Sequence, residues 1–145
     1  MFYDPASFQG SLDRRGYFEG WYFKLVDKDG QRPIALIPGI SLAEKDPHAF
    51  IQLLDGGSGK SAYYRYPIAD FKAEANKFAI RIGDNHFNGE GIDLDLFDPQ
   101  SLVPGAGYQV SGKVAFGPLK PWPVTLFSPG AMGPFAFLPK MECCH

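Results

Sequence analysis

The chain has 145 residues and a formal net charge of -2, and its basic residues are scattered, with one adjacent pair at Arg14-Arg15, which excludes the basic stripe of a nucleic-acid-binding surface. No apolar run approaches the roughly 20 residues a membrane-spanning helix needs, and Met1-Phe2-Tyr3-Asp4-Pro5 has neither a basic leader region nor an apolar one. These totals fit one domain with a single core, read as a soluble cytoplasmic protein without a transmembrane segment.

Aromatic residues make up 15% of the chain, with 13 Phe against 3 Met, beside 17 Gly and 13 Pro. That mix predicts short strands joined by many turns. Residues 1–16 read as an N-terminal arm. Tyr17 to Val26 reads as a strand, Asp27-Lys28-Asp29-Gly30 as a turn and Arg32 to Ile40 as its hairpin partner. Ala49 to Leu54 and Ser61 to Tyr66 repeat the pattern around Asp55-Gly56-Gly57-Ser58-Gly59. Lys77 to Ile82, His86 to Asn88 and Ile92 to Leu96 follow, separated by Gly83-Asp84-Asn85 and Gly89-Glu90-Gly91, and Tyr108 to Phe116 is a further strand.

No window of helical length keeps an apolar 3.6-residue period free of Gly or Pro, so helices should be short and peripheral. The prediction is an all-β fold, an antiparallel meander forming a lipocalin-like barrel or a sandwich. From Gly117 onward prolines alternate with Trp122, Phe127, Phe135 and Phe137. This reads as extended chain across a barrel mouth or edge, with Phe135 to Leu138 as a short strand. The ending Met141-Glu142-Cys143-Cys144-His145 has neither a polar tail nor a closing helix. It predicts a chain cut inside a larger fold, so that the barrel is incomplete.

Several motifs carry no chemistry. Gly59-Lys60-Ser61 resembles the end of a phosphate-binding loop, but Leu54 stands where its first glycine belongs and a strand follows instead of a helix. His48, His86 and His145 lack the paired spacing of a zinc site, and the adjacent Cys143 and Cys144 lack that of a metal knuckle or a disulfide framework. No metal and no cofactor is expected. Ser41 and Ser128 lack a nucleophile-elbow frame.

The strand at Tyr17 carries more. Alternation puts Tyr17, Glu19, Trp21, Phe23 and Leu25 on one face and Phe18, Gly20, Tyr22, Lys24 and Val26 on the other. Glu19 thus sits among rings. Two readings stand: an acid kept protonated by an apolar pocket, able to protonate a substrate, or a carboxylate paired with Arg65 or Arg81. Gly20 marks a bend or a close approach. Trp122, between two prolines, is either a packing plug or a lid over a cavity, and Trp21 and Tyr22 are either core residues or ligand walls.

The run Tyr17-Phe18-Glu19-Gly20-Trp21-Tyr22-Phe23-Lys24 resembles the signature of the tocopherol cyclase-like family, bacterial members included. So do Ile37-Pro38-Gly39-Ile40-Ser41, His48-Ala49-Phe50-Ile51-Gln52, Tyr66-Pro67-Ile68 and the stretch from Pro121 to Cys143. The likeness covers nearly the whole chain from Tyr17, making residues 17–145 the leading part of such a domain. Family members are longer, with Trp- and Gly-rich segments in a second half.

The resemblance implies a lipocalin-like barrel, related more distantly to carotenoid hydratases, with an apolar cavity. It also implies cofactor-independent closure of a prenylated quinol, or a related isoprenoid alkene, to a chromanol-type ring. That chemistry needs an acid for the alkene, rings to stabilise a tertiary cation and a base for the phenol. The physical reading of the residues offers Glu19 as acid, His48 or Glu142 as base, Trp21 and Tyr22 beside the cation, and Phe23 and Trp122 as further substrate contacts. Two alternatives stand beside it. One is a non-catalytic binder of an apolar isoprenoid or lipid; the other is a structural module with a filled core. The sequence leaves the oligomeric state open.

Overall fold

The structure is a computed structural model and describes residues 7–96 and 109–120. Among these residues the fold is all-β, two antiparallel sheets with strands in meander order. In sheet one, β1 (Tyr17–Gly20) and β2 (Phe23–Leu25) lie end to end along one edge of β3 (Ile34–Leu42), which pairs with β4 (His48–Asp55), and β4 with β5 (Lys60–Tyr66). Sheet two runs in sequence order through β6 (Phe71–Ala73), β7 (Ala79–Ile82), β8 (Asn85–Asn88), β9 (Gly91–Leu96) and β10 (Val110–Ala115). No ladder joins the two sheets among the described residues, so the arrangement is a sandwich or an open barrel.

The single strand expected over Tyr17 to Val26 is interrupted at Trp21 and Tyr22. Pro38 explains the gap. Trp21 N–H still donates to the Pro38 carbonyl at 3.0 Å, but proline has no N–H to return, and the ladder lapses for two residues. The alternation survives the break. Trp21 is 8% exposed while Phe18 and Tyr22 are 66% and 63% exposed.

The turns follow their chemistry. Gly30 adopts φ 69° and Asp27 Oδ1 accepts from the N–H groups of Gln31 and Arg32 at 2.8 and 3.1 Å. Gly59 adopts φ 70°, and Asp55 gathers Gly57 N–H at 2.9 Å and the Ser58 hydroxyl at 2.6 Å. Two elements were not foreseen, a 3-10 turn at Ile68–Asp70 and β6. Three-residue elements are too short to show a period. Together with Pro67 they carry the chain from sheet one to sheet two. The expected strand at Phe135 to Leu138 and the proline-rich stretch from 121 onward lie outside the described residues.

One core lies between the sheets. Leu36, Ile40 and Ile51 of sheet one and Ile82, Phe87 and Leu96 of sheet two are each at most 1% exposed, and burial of each side chain contributes about 1.5–3 kcal/mol. The exception is polar. Asn85, 1% exposed, donates to the Ile82 carbonyl at 3.1 Å and the Tyr66 hydroxyl at 3.2 Å and accepts from Asp95 N–H at 2.8 Å. It ties β8 to β9 and to the end of β5. Asn85→Ala, which strands these groups, is expected to lower the unfolding free energy by about 2 kcal/mol in urea titrations.

Candidate functional site

Two polar clusters occupy opposite faces of sheet one. The first is built on β1. Tyr17 and Glu19, two residues apart, face the sandwich interior, and the Tyr17 hydroxyl donates to Glu19 Oε2 at 2.6 Å. The N-terminal arm supplies further donors. Gln9 N–H lies 3.1 Å from each carboxylate oxygen and Gly10 N–H 3.2 Å from Oε2. Charge-assisted bonds of this kind are the stronger sort.

Phe8, one residue earlier in the arm, bridges the two sheets. Its ring centroid is 6.5 Å from Tyr17, 6.4 Å from Trp21 and 5.3 Å from Phe71 of sheet two. The cluster then extends through Trp21 to Phe78 at 6.1 Å, and from Phe23 to Phe78, Phe87 and Phe116 at 5.8, 5.7 and 6.1 Å. Glu19 therefore sits at one end of a run of rings that spans the sheets.

Neither arginine offered as its partner is used. Arg65 bonds Asp46 at 2.6 Å, and Arg81 donates to the Gly83 carbonyl at 2.8 Å and faces Asp84 at 3.6 Å. The donors that do reach Glu19 include backbone N–H groups of residues about ten positions earlier. Composition carries no signal for such donors, although the same-face spacing of Tyr17 and Glu19 was available.

The second cluster is on the outer face. His48 Nδ1 lies 2.8 Å from the Asp46 carbonyl, and Nε2 lies 2.9 Å from the Tyr63 hydroxyl. A proton on Nδ1 satisfies the carbonyl, leaving Nε2 to accept from Tyr63. Phe50, 2% exposed, stacks between Phe18 at 5.6 Å and Tyr63 at 5.2 Å, with both interplanar angles 15°. Burial pushes the Tyr63 hydroxyl above its ordinary pKa of 10.0. The hairpin register could have suggested this neighbourhood, since β4 and β5 pair from Ala49↔Tyr66 to Asp55↔Lys60.

Glu19 and His48 are not brought together. Glu19 pairs with Ile40 and Ile40 with Ala49, so Glu19 shares a face with Ala49, and the adjacent His48 points to the other side. Tyr22 is likewise on the outer side, away from Trp21 and Phe23. Glu142 and Trp122 lie outside the described residues. Among the described residues no group of three or more His, Cys, Asp or Glu converges in a metal-binding arrangement, and no helix is long and apolar enough to cross a membrane.

Two exposed carboxylates contribute to the acid side of the stability profile. Hydrogen bonds from Arg65 to Asp46 and from Ser58 to Asp55 hold both below the ordinary value of 3.8. Near that pH the unfolded chain binds more protons than the folded one. Their contribution to stability is therefore expected to be present above about pH 4 and to be lost as the pH drops through the folded values. Thermal midpoints measured between pH 6 and pH 2.5 check this, and Asp46→Asn and Asp55→Asn should each flatten the acid limb.

The fold class and the site are thus those of an all-β, two-sheet protein with an interior ring cluster ending in a carboxylate. Comparison with family models, with curated proteins and with solved structures finds no match to this chain.

Proposed function

We propose that the chain is a tocopherol cyclase-like protein that binds an apolar isoprenoid or lipid against the interior rings, with Glu19 and Tyr17 as its polar contact. One observation carries the reading: a hydrogen-bonded carboxylate stands at the end of a ring cluster that includes Phe8, Trp21 and Phe71. Such a mixture, mostly apolar with a few placed polar groups, suits recognition of a largely hydrocarbon molecule bearing a hydroxyl. A cytoplasmic setting accompanies this proposal.

Ring closure of a prenylated quinol is the second reading, favoured by the proximity of Tyr17 and Glu19. Closure is an isomerisation, so protons balance within one site. An acid gives H⁺ to one alkene carbon, the phenol oxygen bonds the cationic carbon, and the phenol proton returns to the same carboxyl group. His48 on the outer face is not required. A carboxylate surrounded by donors must first take up that proton, which makes binding the better supported of the two readings.

Organic extraction of the natively purified chain followed by mass spectrometry tests the binding proposal. An isoprenoid or lipid recovered in near-stoichiometric amount is expected; recovery of none counts against it. For the second reading, turnover of a prenylated hydroquinone should vanish in Glu19→Gln, and unchanged turnover removes Glu19 as the acid.

A further inference from the structure

β1 and β2 form one edge of sheet one, and among the described residues no further strand pairs with them. Gly20 pairs with Gly39 and Phe23 with Leu36, so the register against β3 is the same on both sides of the break and the edge is continuous. Trp21 N–H is directed at the Pro38 carbonyl of β3. By the alternation of the backbone, Phe18, Gly20, Tyr22 and Lys24 turn their N–H and C=O groups away from β3, toward the open side. Such a row invites another strand.

The side chains on this edge are of an unusual kind. Five large apolar side chains are exposed among the described residues, and three of them, Phe18, Tyr22 and Val26, recur here at every fourth position on the outer face. The edge strands β5 and β10 expose Lys60, Ser61 and Arg65, and Ser111, Lys113 and Ala115, instead.

The pattern is complementary to itself. Antiparallel pairing with the same edge of a second copy, about a two-fold axis at Tyr22, sets Phe18 opposite Val26, Tyr22 opposite Tyr22 and Gly20 opposite Lys24. Apolar groups meet apolar groups. No like charges face each other, and the glycine leaves room for the Lys24 stem between the Phe18 and Tyr22 rings of the other copy. Beyond the paired residues the same register brings Asp29 of each copy toward Arg15 of the other. Among the described residues neither side chain has an ion pair or hydrogen bond within its own chain.

We infer that the chain associates with a second copy of itself through this edge, as a symmetric dimer whose sheet runs on across the axis. A single strand edge is a small interface, of the size found in transient contacts. Association is therefore expected at roughly 100 µM, and unfolding titrations at about 1 µM read the monomer.

Sedimentation velocity of the full chain between about 5 and 500 µM, together with disulfide trapping, tests the dimer. The sedimentation coefficient should rise with concentration to that of a dimer. Opposed Cα atoms in a hydrogen-bonded pair lie about 5.5 Å apart, within disulfide reach. In a Cys143→Ser, Cys144→Ser background, Tyr22→Cys should therefore cross-link to itself in oxidised glutathione at least about tenfold faster than Lys72→Cys on the outer face of sheet two. Tyr22→Lys, which sets like charges on the axis, should weaken association by at least about tenfold with the circular dichroism unchanged. Asp29→Arg should weaken it too, and adding Arg15→Asp should restore it.

A single monomeric species up to about 500 µM overturns the proposal. So does a dimer that Tyr22→Cys traps no faster than Lys72→Cys, or that Tyr22→Lys leaves intact, since either result puts the contact on another surface. Association that is indifferent to Asp29→Arg, or that Arg15→Asp does not restore, overturns the register.

Discussion

Trp21→Ala is expected to lower the unfolding free energy by about 3–5 kcal/mol, the range for removing a large aromatic side chain from a core. Trp21 is 8% exposed and lies against Phe8 from the arm and Phe78 from the turn between β6 and β7, so its loss opens a void where three parts of the chain meet. Surrounding rings are too rigid to close it fully. Tyr22, the next residue, is 63% exposed on the opposite face, and Tyr22→Ala should change stability by less than about 0.5 kcal/mol. Urea unfolding of the two variants side by side reads the strand's alternation directly. Comparable losses would contradict the assignment of faces.

Gly39→Ala is expected to cost about 3 kcal/mol, at the upper end for overpacking a single methyl group. A Cβ at Gly39 would lie 2.5 Å from Phe50 Cζ and 2.7 Å from the Glu19 backbone carbonyl oxygen. Neither neighbour yields easily. Phe50 is clamped in the stack between Phe18 and Tyr63, and moving the carbonyl means moving β1, the strand that carries Glu19. Gly20, paired directly with Gly39, has its nearest contact at 3.4 Å, so Gly20→Ala should cost less than about 1 kcal/mol. Equal costs at the two positions in denaturant titrations would show that the outer ring stack does not constrain β3.

That contrast marks what the sequence could carry. Alternation from Tyr17 to Val26 is a local property, set by the pleat, and it assigned the inner and outer residues correctly even across the break. Turn residues likewise act through their immediate neighbours, and the hairpins around Asp27-Gly30 and Asp55-Gly59 followed from them. Gly20, read as a bend or a close approach, stands where the strand breaks and has no contact nearer than 3.4 Å; the tight position is Gly39, because closeness there depends on which ring of β4 falls over β3.

The partners of Glu19 were beyond reach for a similar reason. An arginine could be guessed from type, whereas the donors from Gln9 and Gly10 depend on the path of an arm without regular structure. The separation of His48 from Glu19 required the β1–β3–β4 register. A shift of one residue would have reversed it.

The most direct test of the interior site follows emission from Trp21 alone. In a Trp122→Phe variant Trp21 is the remaining indole, and it lies within the ring cluster that ends at Glu19. Titration with a prenylated hydroquinone should change its emission saturably, and Glu19→Ala in the same background should weaken that binding by about tenfold. Emission that stays constant to the solubility limit of the ligand, in protein shown by circular dichroism to be folded, would contradict an apolar-ligand site between the sheets.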